Sequence, residues 1–276
     1  MRSILILAGK EICDALRNRW VVAMTVLLAA LALTLAFLGS APTGAVKVSP
    51  LAVTVVSLSS LTIFLLPLIA LLLSYDAIVG EVDRGTMALL LAYPVSRWQV
   101  MIGKFLGHLA VLAIATGIGY GIAGAALGFA SGEPDPAAWR AFSAMIASSI
   151  LLGAVFIAIG YLVSASVRDR GTAGGIAIGV WLLFVLLYDM ALLGILVADQ
   201  GRVLTAERLN WLLLLNPADA YRLLNLTGFA NVSMFAGMAG VSGQAHLAPS
   251  QLLAALLGWT VLPLGLATAL FARRQL

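Results

Sequence analysis

Long apolar runs, separated by short polar segments, set the pattern of the chain. A helix needs about 20 apolar residues to cross the hydrocarbon core of a bilayer, and six runs reach about that length. We predict membrane spans at about 20–38, 51–74, 105–130, 142–163, 173–198 and 251–271. The pattern therefore predicts an all-α integral membrane protein with a six-span domain over residues 20–276.

Residues 1–19 follow a different pattern, in which apolar and polar side chains recur with helical spacing. The charged residues Lys10, Glu11, Asp14 and Arg17 lie away from the apolar face, which is formed by Ile4, Leu5, Ala8, Ile12, Ala15 and Leu16. A helix with one apolar and one charged face lies in the membrane interface rather than across it. We predict an N-terminal amphipathic interfacial helix.

Composition and charge agree with a lipid environment. Hydrophobic residues make up 62% of the chain and charged residues only 10%, whereas soluble domains are about half apolar and about a quarter charged. Lys and Arg accumulate on the cytoplasmic side of membrane proteins. Eleven of the 16 lie in the two termini and in loops 75–104 and 164–172, so we expect these four segments to be cytoplasmic.

Loop 75–104 has an internal order that a plain connection does not need. Charged residues come first, then a Gly-Thr pair, an apolar run over 87–91 and a Tyr-Pro break at 93–94. Gly and Pro are the strongest local breaks in a helix, so we predict a short helix lying at the membrane surface. With loop 164–172 and the N-terminal helix it would form a docking face, the alternative being solvated loops. The candidate residues are Asp76, Glu81, Asp83, Arg84, Gly85, Thr86, Pro94, Arg97, Lys104, Arg168, Asp169 and Arg170.

Segment 199–250 does not have the pattern of a further span. Its apolar run over 209–215 is too short to cross a bilayer, and an Asn-Pro pair separates it from a helix-forming stretch over 218–226. A re-entrant or surface-lying helical hairpin fits this pattern better. Its candidate residues for contact with a partner are Asn216, Pro217, Asp219, Tyr221 and Arg222.

Asp189 is the one acid that the pattern places well inside a span. An intramembrane carboxylate is costly and is by default a functional group; the alternative is that span 5 ends earlier and Asp189 lies at the outer interface. An ion-coupled transporter or a membrane enzyme centred on Asp189 would be expected to carry several ionisable groups within its spans.

Motifs for catalysis and for metal binding are absent or weak. The sequence holds no GxxxxGKS/T, HExxH or GxSxG motif, so we expect neither an enzyme active site nor a nucleotide site in this chain. Its one cysteine excludes an internal disulfide. Thioether and imidazole groups suit copper, which makes Met234, Met238 and His246 weak candidate ligands. Apolar filling is the simpler interpretation, and we predict no metal site.

Glycines inside the spans predict close helix packing. Residues 119–124 spell GxGxxG, but they lie within a span with no strand before them, which does not support a dinucleotide site. Small residues four apart let two helices approach closely. The pairs are Gly117 with Gly121, Gly124 with Gly128, Gly171 with Gly175, and Gly175 with Gly179.

The ordered loop resembles the cytoplasmic loop of ABC-2-type permeases of ABC transporters. The resemblance is carried by Glu81, Gly85-Thr86, the apolar run to Leu91, Pro94-Val-Ser96-Arg97 and Gly103-Lys104, and by Asn216–Arg222 before the last span. It implies the ABC-2 (type V exporter-like) permease fold in a bacterial inner membrane, with the loop as a coupling helix seated in a separate ATPase subunit. It also implies a homodimer with two cytoplasmic ATPase subunits that bind ATP and Mg, and no cofactor in this chain.

Four longer stretches narrow the resemblance. KEICDALRNRW (10–20), LSYDAIVGE (73–81), GKFLGH (103–108) and LLNPADAYRLLNLTG (214–228) are similar to the branch of the family that matures periplasmic nitrous-oxide reductase. That branch implies a periplasmic partner protein and service to a copper-sulfide site, by transport of a sulfur or copper species or by transmission of ATP-driven motion. The alternative within the same fold is an exporter of a lipid, drug or other hydrophobic substrate, which the largely apolar spans would suit.

Overall fold

The computed structural model describes residues 2–17, 19–38, 50–131, 136–199, 205–226 and 247–274. Every regular element within these ranges is a helix, which confirms the predicted fold class. The elements are α1 (Arg2–Arg17), α2 (Arg19–Leu38), α3 (Pro50–Ser74), α4 (Val79–Asp83), α5 (Thr86–Leu91), α6 (Arg97–Ser131), α7 (Pro136–Ser166), α8 (Arg170–Leu182), a π-helix (Leu183–Leu187), α9 (Tyr188–Asp199), α10 (Ala206–Leu214), α11 (Pro217–Leu226) and α12 (Pro249–Arg273).

Within the described ranges, five helical segments are long and apolar enough to cross a membrane, and a bent pair of helices makes a possible sixth span. The bent pair is α1 with α2, whose axes meet at 71°. This bend lies between the amphipathic part of the sequence and the first apolar run. The five segments are Thr54–Asp83, Arg97–Ala126, Pro136–Ser166, Arg170–Asp199 and Pro249–Arg273, so the chain is a multi-pass membrane protein.

α7 is the central helix of the bundle. It packs mainly against α3 and α12, and also against α6 and α11. Of its most apolar stretch, 72% is buried, compared with 11% for the span formed by α8, the π-helix and α9. Gly153 and Gly160 bring neighbouring helices close, because their positions lie directly against the side chains of Leu112 and Ser74.

The polar segment between α3 and α6 contains two short helices. α4 and α5 are joined at Gly85, whose φ of 71° lies in the left-handed region that favours glycine. A turn containing Pro94 follows α5, and α6 begins at Arg97, earlier than the sequence pattern predicts. Lys104, which the pattern assigned to a loop, therefore lies about two turns inside a helix.

Two further helices lie at the other end of the bundle. α10 and α11 are consecutive helices joined at Asn216, and α11 packs against α12, α7 and α3. Most of α11 is buried, including Ala218, Ala220 and Tyr221. The rest of segment 199–250 is mostly outside the described residues.

The glycine pairs divide into two groups. Gly124 and Gly128 approach the rings of Phe142 and Trp139 on α7, so this pair packs closely against another helix, as predicted. The positions of Gly117, Gly121, Gly175 and Gly179 have no described atom of another element within 4 Å. Those pairs do not pack against a helix within the described part of this chain.

Candidate functional site

One end of the bundle collects the four segments that the charge pattern assigned to one side of the membrane. α1 lies against the beginning of α6, and α4 contacts α8. The end of α12 reaches the last turns of α7, where Arg274 donates a 3.4 Å hydrogen bond to the carbonyl of Ser164. We call this part of the molecule the docking end. Its residues come from distant parts of the sequence, so its geometry depends on the fold.

A buried ion-pair cluster lies at the centre of the docking end. The Lys104 ammonium lies 2.7 Å from Glu11 Oε1 and 2.8 Å from Glu81 Oε1. Lys104, Glu11 and Glu81 are only 2%, 8% and 7% exposed. Because they belong to α6, α1 and α4, one ammonium group joins three helices. Loss of one member would leave charge buried without a partner, which is strongly destabilising.

Two glycines allow α1 to approach α6 closely enough to form this cluster. A Cβ atom added at Gly107 would lie 2.5 Å from Glu11 Cβ, and one added at Gly103 would lie 2.7 Å from Leu7 Cβ. Their spacing of four residues places both glycines on one face of α6. Glu11 consequently faces α6, whereas the sequence pattern had placed it away from the packed face of the N-terminal helix.

His108 extends the cluster into the bundle. Its Nε2 lies 3.4 Å from Glu11 Oε2, and its Nδ1 lies 2.9 Å from the hydroxyl of Tyr161 on α7. Burial raises the pKa of the Glu11 carboxyl, but the hydrogen bond to His108 and the charge of Lys104 lower this pKa by more. The net pKa of Glu11 is well below its usual range, so Glu11 is ionised at neutral pH.

Lys10 closes the cluster toward the surface. Its ammonium lies 3.5 Å from Glu11 and 3.5 Å from Glu81, and 3.6 Å from Asp14. Partial burial lowers the pKa of Lys10, but these carboxylates raise it above its usual value. Glu81 Oε2 is buried and has no hydrogen-bond partner among the described residues.

A surface pocket of about 380 Å³ adjoins the cluster. It is lined by Lys10, Glu81, Arg84, Thr86, Leu89, Leu90 and Tyr93. Leu89 and Tyr93 are each 69% exposed, and Asp83 and Arg84 next to them are also exposed. The pocket therefore combines exposed apolar side chains with charges of both signs. Such a surface suits an amphipathic segment of a partner protein.

α4 is held in place from two sides. The hydroxyl oxygen of Ser164 on α7 accepts hydrogen bonds from the N–H groups of Ile78 and Val79, at 3.0 and 3.1 Å. These N–H groups are at the start of a helix and would otherwise lack partners. Asp76 forms a 2.8 Å ion pair with Arg170 at the start of α8. α4 and the turn before it are thus fixed to the end of α7 and the start of α8.

Arg97 binds the end of the last helix. Its guanidinium donates to the carbonyls of Phe271, Ala272 and Arg274, at 2.7, 3.2 and 2.6 Å, and lies over the Phe271 ring. A cation at a helix C-terminus satisfies unpaired carbonyls and the helix dipole. The start of α6 and the end of α12 are therefore joined at the docking end.

A second polar cluster lies at the opposite end of the bundle. Arg222 on α11 lies 2.8 Å from Asp189 and 2.7 Å from Asp219. Asn216 Nδ2 donates to Asp219 Oδ2 and to the carbonyl of Phe184 in the π-helix, each at 3.0 Å. Asp189 thus has a cationic partner, and its helix continues to Asp199. The cluster ties α11 to the span that contains the π-helix.

The structure places the candidate docking residues in two groups. Glu81 and Lys104 belong to the buried cluster, and Asp76, Arg97 and Arg170 bind other helices of the same chain. The remaining candidates are all exposed, as is Arg170: Asp83, Arg84, Gly85, Thr86, Pro94, Arg168 and Asp169. Asp169 also caps α8 by accepting a hydrogen bond from Thr172 N. At the other end, Asn216, Pro217, Asp219 and Tyr221 are buried and Arg222 is partly buried.

Sequence reasoning missed Glu11, His108, Tyr161 and Ser164. A glutamate flanked by apolar helical positions, facing a GxxxG pair, is the signal that could have found Glu11. The candidate copper ligands Met234, Met238 and His246 lie outside the described residues. Among the described residues, no group of three or more His, Cys, Asp or Glu side chains could hold a metal ion.

Comparison with known proteins places these features in a family. The model of the ABC-2 family transporter protein matches residues 5–276. The chain is 44% identical to the "Probable ABC transporter permease protein NosY" of Stutzerimonas stutzeri, over 99% of each chain. It is 46% identical to the protein of the same name from Pseudomonas aeruginosa, over 98% of each chain. The chain therefore belongs to the ABC-2 family of ABC transporter permeases.

Proposed function

We propose that the chain is the NosY-like permease subunit of an ABC transporter complex, and that a separate ATPase docks on the α4–α5 surface. The observation that carries this proposal is the arrangement around Lys104. An exposed surface of apolar and charged side chains is attached, through buried ion pairs, to α1 and α6. A force applied to α4 would thus reach several helices at once.

The exposed residues of this surface are the proposed contacts with the ATPase. Asp83, Arg84 and Arg168 supply charges, and Leu89 and Tyr93 supply apolar area. Buried apolar anchors with a charged rim are typical of specific protein–protein contacts. Under this proposal, ATP and Mg are bound by the ATPase subunit, and the docking end with both termini is cytoplasmic.

Glu81, Lys104, Asp76 and Arg170 have a different proposed role. They pass movement of α4 to α6 and α8 rather than contacting the ATPase themselves. Since packed interfaces switch between discrete arrangements rather than deform continuously, joined helices would move together when the ATPases close. The Lys104 ammonium is the centre of this connection.

The resemblance to NosY proteins extends the proposal to a partner on the outer side. The complex would contain two copies of this chain in the bacterial inner membrane, two NosF-like ATPases and a NosD-like periplasmic protein held by segment 199–250. It would act in assembly of the copper-sulfide site of nitrous-oxide reductase. The chain would either move a sulfur or copper species or transmit motion to the periplasmic partner.

The second candidate function is export of a hydrophobic substrate. It is favoured by the large apolar surface of the α8–α9 span, of which only 11% is buried in the chain. A lipid or drug could reach such a surface from the bilayer.

Purification of the tagged chain from its native membrane tests these alternatives. Mass spectrometry and an ATPase assay would be applied to the proteins that co-purify. We expect a soluble ATPase together with a periplasmic protein. An ATPase alone would favour the exporter, and the absence of any ATPase would contradict the proposed function.

A further inference from the structure

α7 contacts the start of α4 near its C-terminal end, and it contacts α11 near its middle. Near its inner end, Ser164 accepts the hydrogen bonds from Ile78 N and Val79 N that begin α4. Near the middle of α7, Ser149 forms a hydrogen bond of 2.9 Å with the hydroxyl of Tyr221 on α11. The neighbouring Ser148 donates to the side-chain oxygen of Asn225, at 3.1 Å. All three serines are buried, with exposures of 0% for Ser164, 0% for Ser149 and 6% for Ser148.

The helix between these contacts is uninterrupted. Ser149 and Ser164 are separated by about 22 Å along the axis, at about 1.5 Å per residue. Three other long segments contain a break: α3 holds Pro67, α12 holds Pro263, and the α8–α9 span holds a π-helix, whereas α6 is unbroken like α7. Proline and π-turns are the usual places at which a helix bends. α7 has neither, and nearly every side chain from Leu152 to Val163 is buried.

We infer that α7 is the element that carries displacement between α4 and α11, with Ser164 at its end, and Ser148 and Ser149 near its middle, as the positioning residues. This inference rests on the proposed function for the source of the movement, which is the ATPase acting on α4. The coupling itself is a property of this chain. Because coupling between two sites is reciprocal in free energy, loosening either contact also loosens the other end.

The inner contact does more than complete a helix cap. The Ser164 carbonyl accepts from Arg274, whose own carbonyl accepts from Arg97 at the start of α6. One turn earlier on α7, Tyr161 bonds His108 of the ion-pair cluster. The inner end of α7 is thus joined to α4, α6 and α12 together. A shift of α4 cannot occur without straining bonds to α7.

Hydrogen exchange on the complete chain in lipid nanodiscs tests the coupling without any ATPase. The variant is Ser164→Ala, and its matched control is Ser166→Ala. Among the described residues, the exposed Ser166 hydroxyl bonds only the carbonyls of Leu162 and Val163 in its own helix. We expect Ser164→Ala to raise exchange at 78–83 by roughly twofold to tenfold for each lost hydrogen bond. It should also raise exchange in α11 by about twofold or more.

The outcomes separate a transmitting helix from a local cap. The inference is supported if Ser164→Ala speeds exchange at both 78–83 and α11. Ser166→Ala should show no such increase, and Ser164→Thr, which keeps the hydroxyl, should exchange like the natural protein. Faster exchange at 78–83 with unchanged α11 overturns the inference, because Ser164 would then serve α4 alone.

The contacts with α11 provide a second test, which holds even if Ser164→Ala does not fold. The double variant Ser148→Ala with Ser149→Ala should loosen α11 and also raise exchange at 78–83. Its control is Ser143→Ala, because the Ser143 hydroxyl bonds only the carbonyl of Arg140 in its own helix within the described part of the chain. Loosening confined to α11 overturns the inference. Failure of the proposed function shows instead as absence of a co-purifying ATPase, and these exchange measurements do not depend on it.

Discussion

The ammonium nitrogen of Lys104 lies 2.7 Å from a carboxylate oxygen of Glu11, a residue 93 positions away in sequence. It lies 2.8 Å from Glu81 as well, so a single charge on α6 faces two carboxylates from two other helices. His108 and Lys10 lie at the edges of this cluster. The N-terminal helix α1 and the short helix α4 are therefore parts of one ion-paired unit with α6.

Replacement of Lys104 should destabilise the protein far more than replacement of Lys10. Lys104→Met leaves two buried carboxylates without their main counter-charge, and breaking such a pair costs about 3–5 kcal/mol. Lys10→Met removes a half-exposed ion pair worth at most about 1 kcal/mol. Thermal unfolding in nanodiscs measures both. Equal shifts in melting temperature for the two variants would contradict the central role of Lys104. A triple variant that also carries Glu11→Gln and Glu81→Gln should be more stable than Lys104→Met alone.

A methyl group at Gly107 should push α1 away from α6. Its Cβ would lie 2.5 Å from Glu11 Cβ and 3.0 Å from the carbonyl of Ala8. Overpacking of this kind typically costs about 1–3 kcal/mol. Gly121→Ala on the same helix is the matched control, because no described atom of another element lies within 4 Å of that position. If the melting temperatures of the two variants agree, α1 does not depend on this close approach.

The contribution of Glu11 to stability should depend on pH with a definite sign. Its pKa is lower in the folded protein than the unfolded value of about 4.3. A carboxyl of this kind stabilises the fold fully above the unfolded pKa, and this stabilisation is lost as the pH falls toward the folded pKa. The stability advantage of the natural protein over Glu11→Gln should be present at about pH 6 and shrink below about pH 4. A stability advantage that grows on acidification would contradict this role of Glu11. The control is Asp14→Asn, on the exposed side of α1, whose stability should differ little from that of the natural protein at any of these pH values.

Replacement of Arg222 should destabilise the packing of α11 more than replacement of Asp189. Arg222→Leu leaves Asp189 and Asp219 without their shared cation, whereas Asp189→Asn leaves the Arg222–Asp219 pair intact. We expect a loss of about 3–5 kcal/mol for Arg222→Leu and a smaller loss for Asp189→Asn. ATP turnover by the complex should survive Asp189→Asn. Complete loss of activity in a stable Asp189→Asn protein would instead favour an ion-coupled transporter centred on this carboxylate.

The sequence was sufficient for the membrane-embedded helices because their signal is local. A run such as 142–163 is apolar along its whole length, and the cost of unpaired backbone groups in lipid forces it to be helical. Helix ends were less predictable. α6 begins at Arg97 and α7 at Pro136, since a helix can continue beyond the hydrocarbon core, where hydropathy carries no signal.

The contacts of the docking end could not be predicted in the same way. Asp76 and Arg170 looked like surface charges, but the fold pairs them at 2.8 Å across 94 positions of sequence. Ser164 is one of many serines in apolar helices, and only the approach of α4 gives its hydroxyl a role. Such partners are distant in sequence, so neither periodicity nor composition indicates them.

Capture of the ATPase subunit is the measurement that tests the account most directly. The chain would be purified in complex with its co-expressed ATPase, comparing the natural sequence with Arg84→Glu combined with Leu89→Asp, both on the exposed side of the α4–α5 surface. The control is Arg140→Glu. Arg140 is exposed and lies near the start of α7, at the end of this helix that is far from α4. We predict at least about a tenfold loss of ATPase binding for the first variant, which corresponds to about 1.4 kcal/mol, with unchanged melting and no loss for the control. Full retention of the ATPase by the α4–α5 variant would show that the subunit docks elsewhere and would contradict the account.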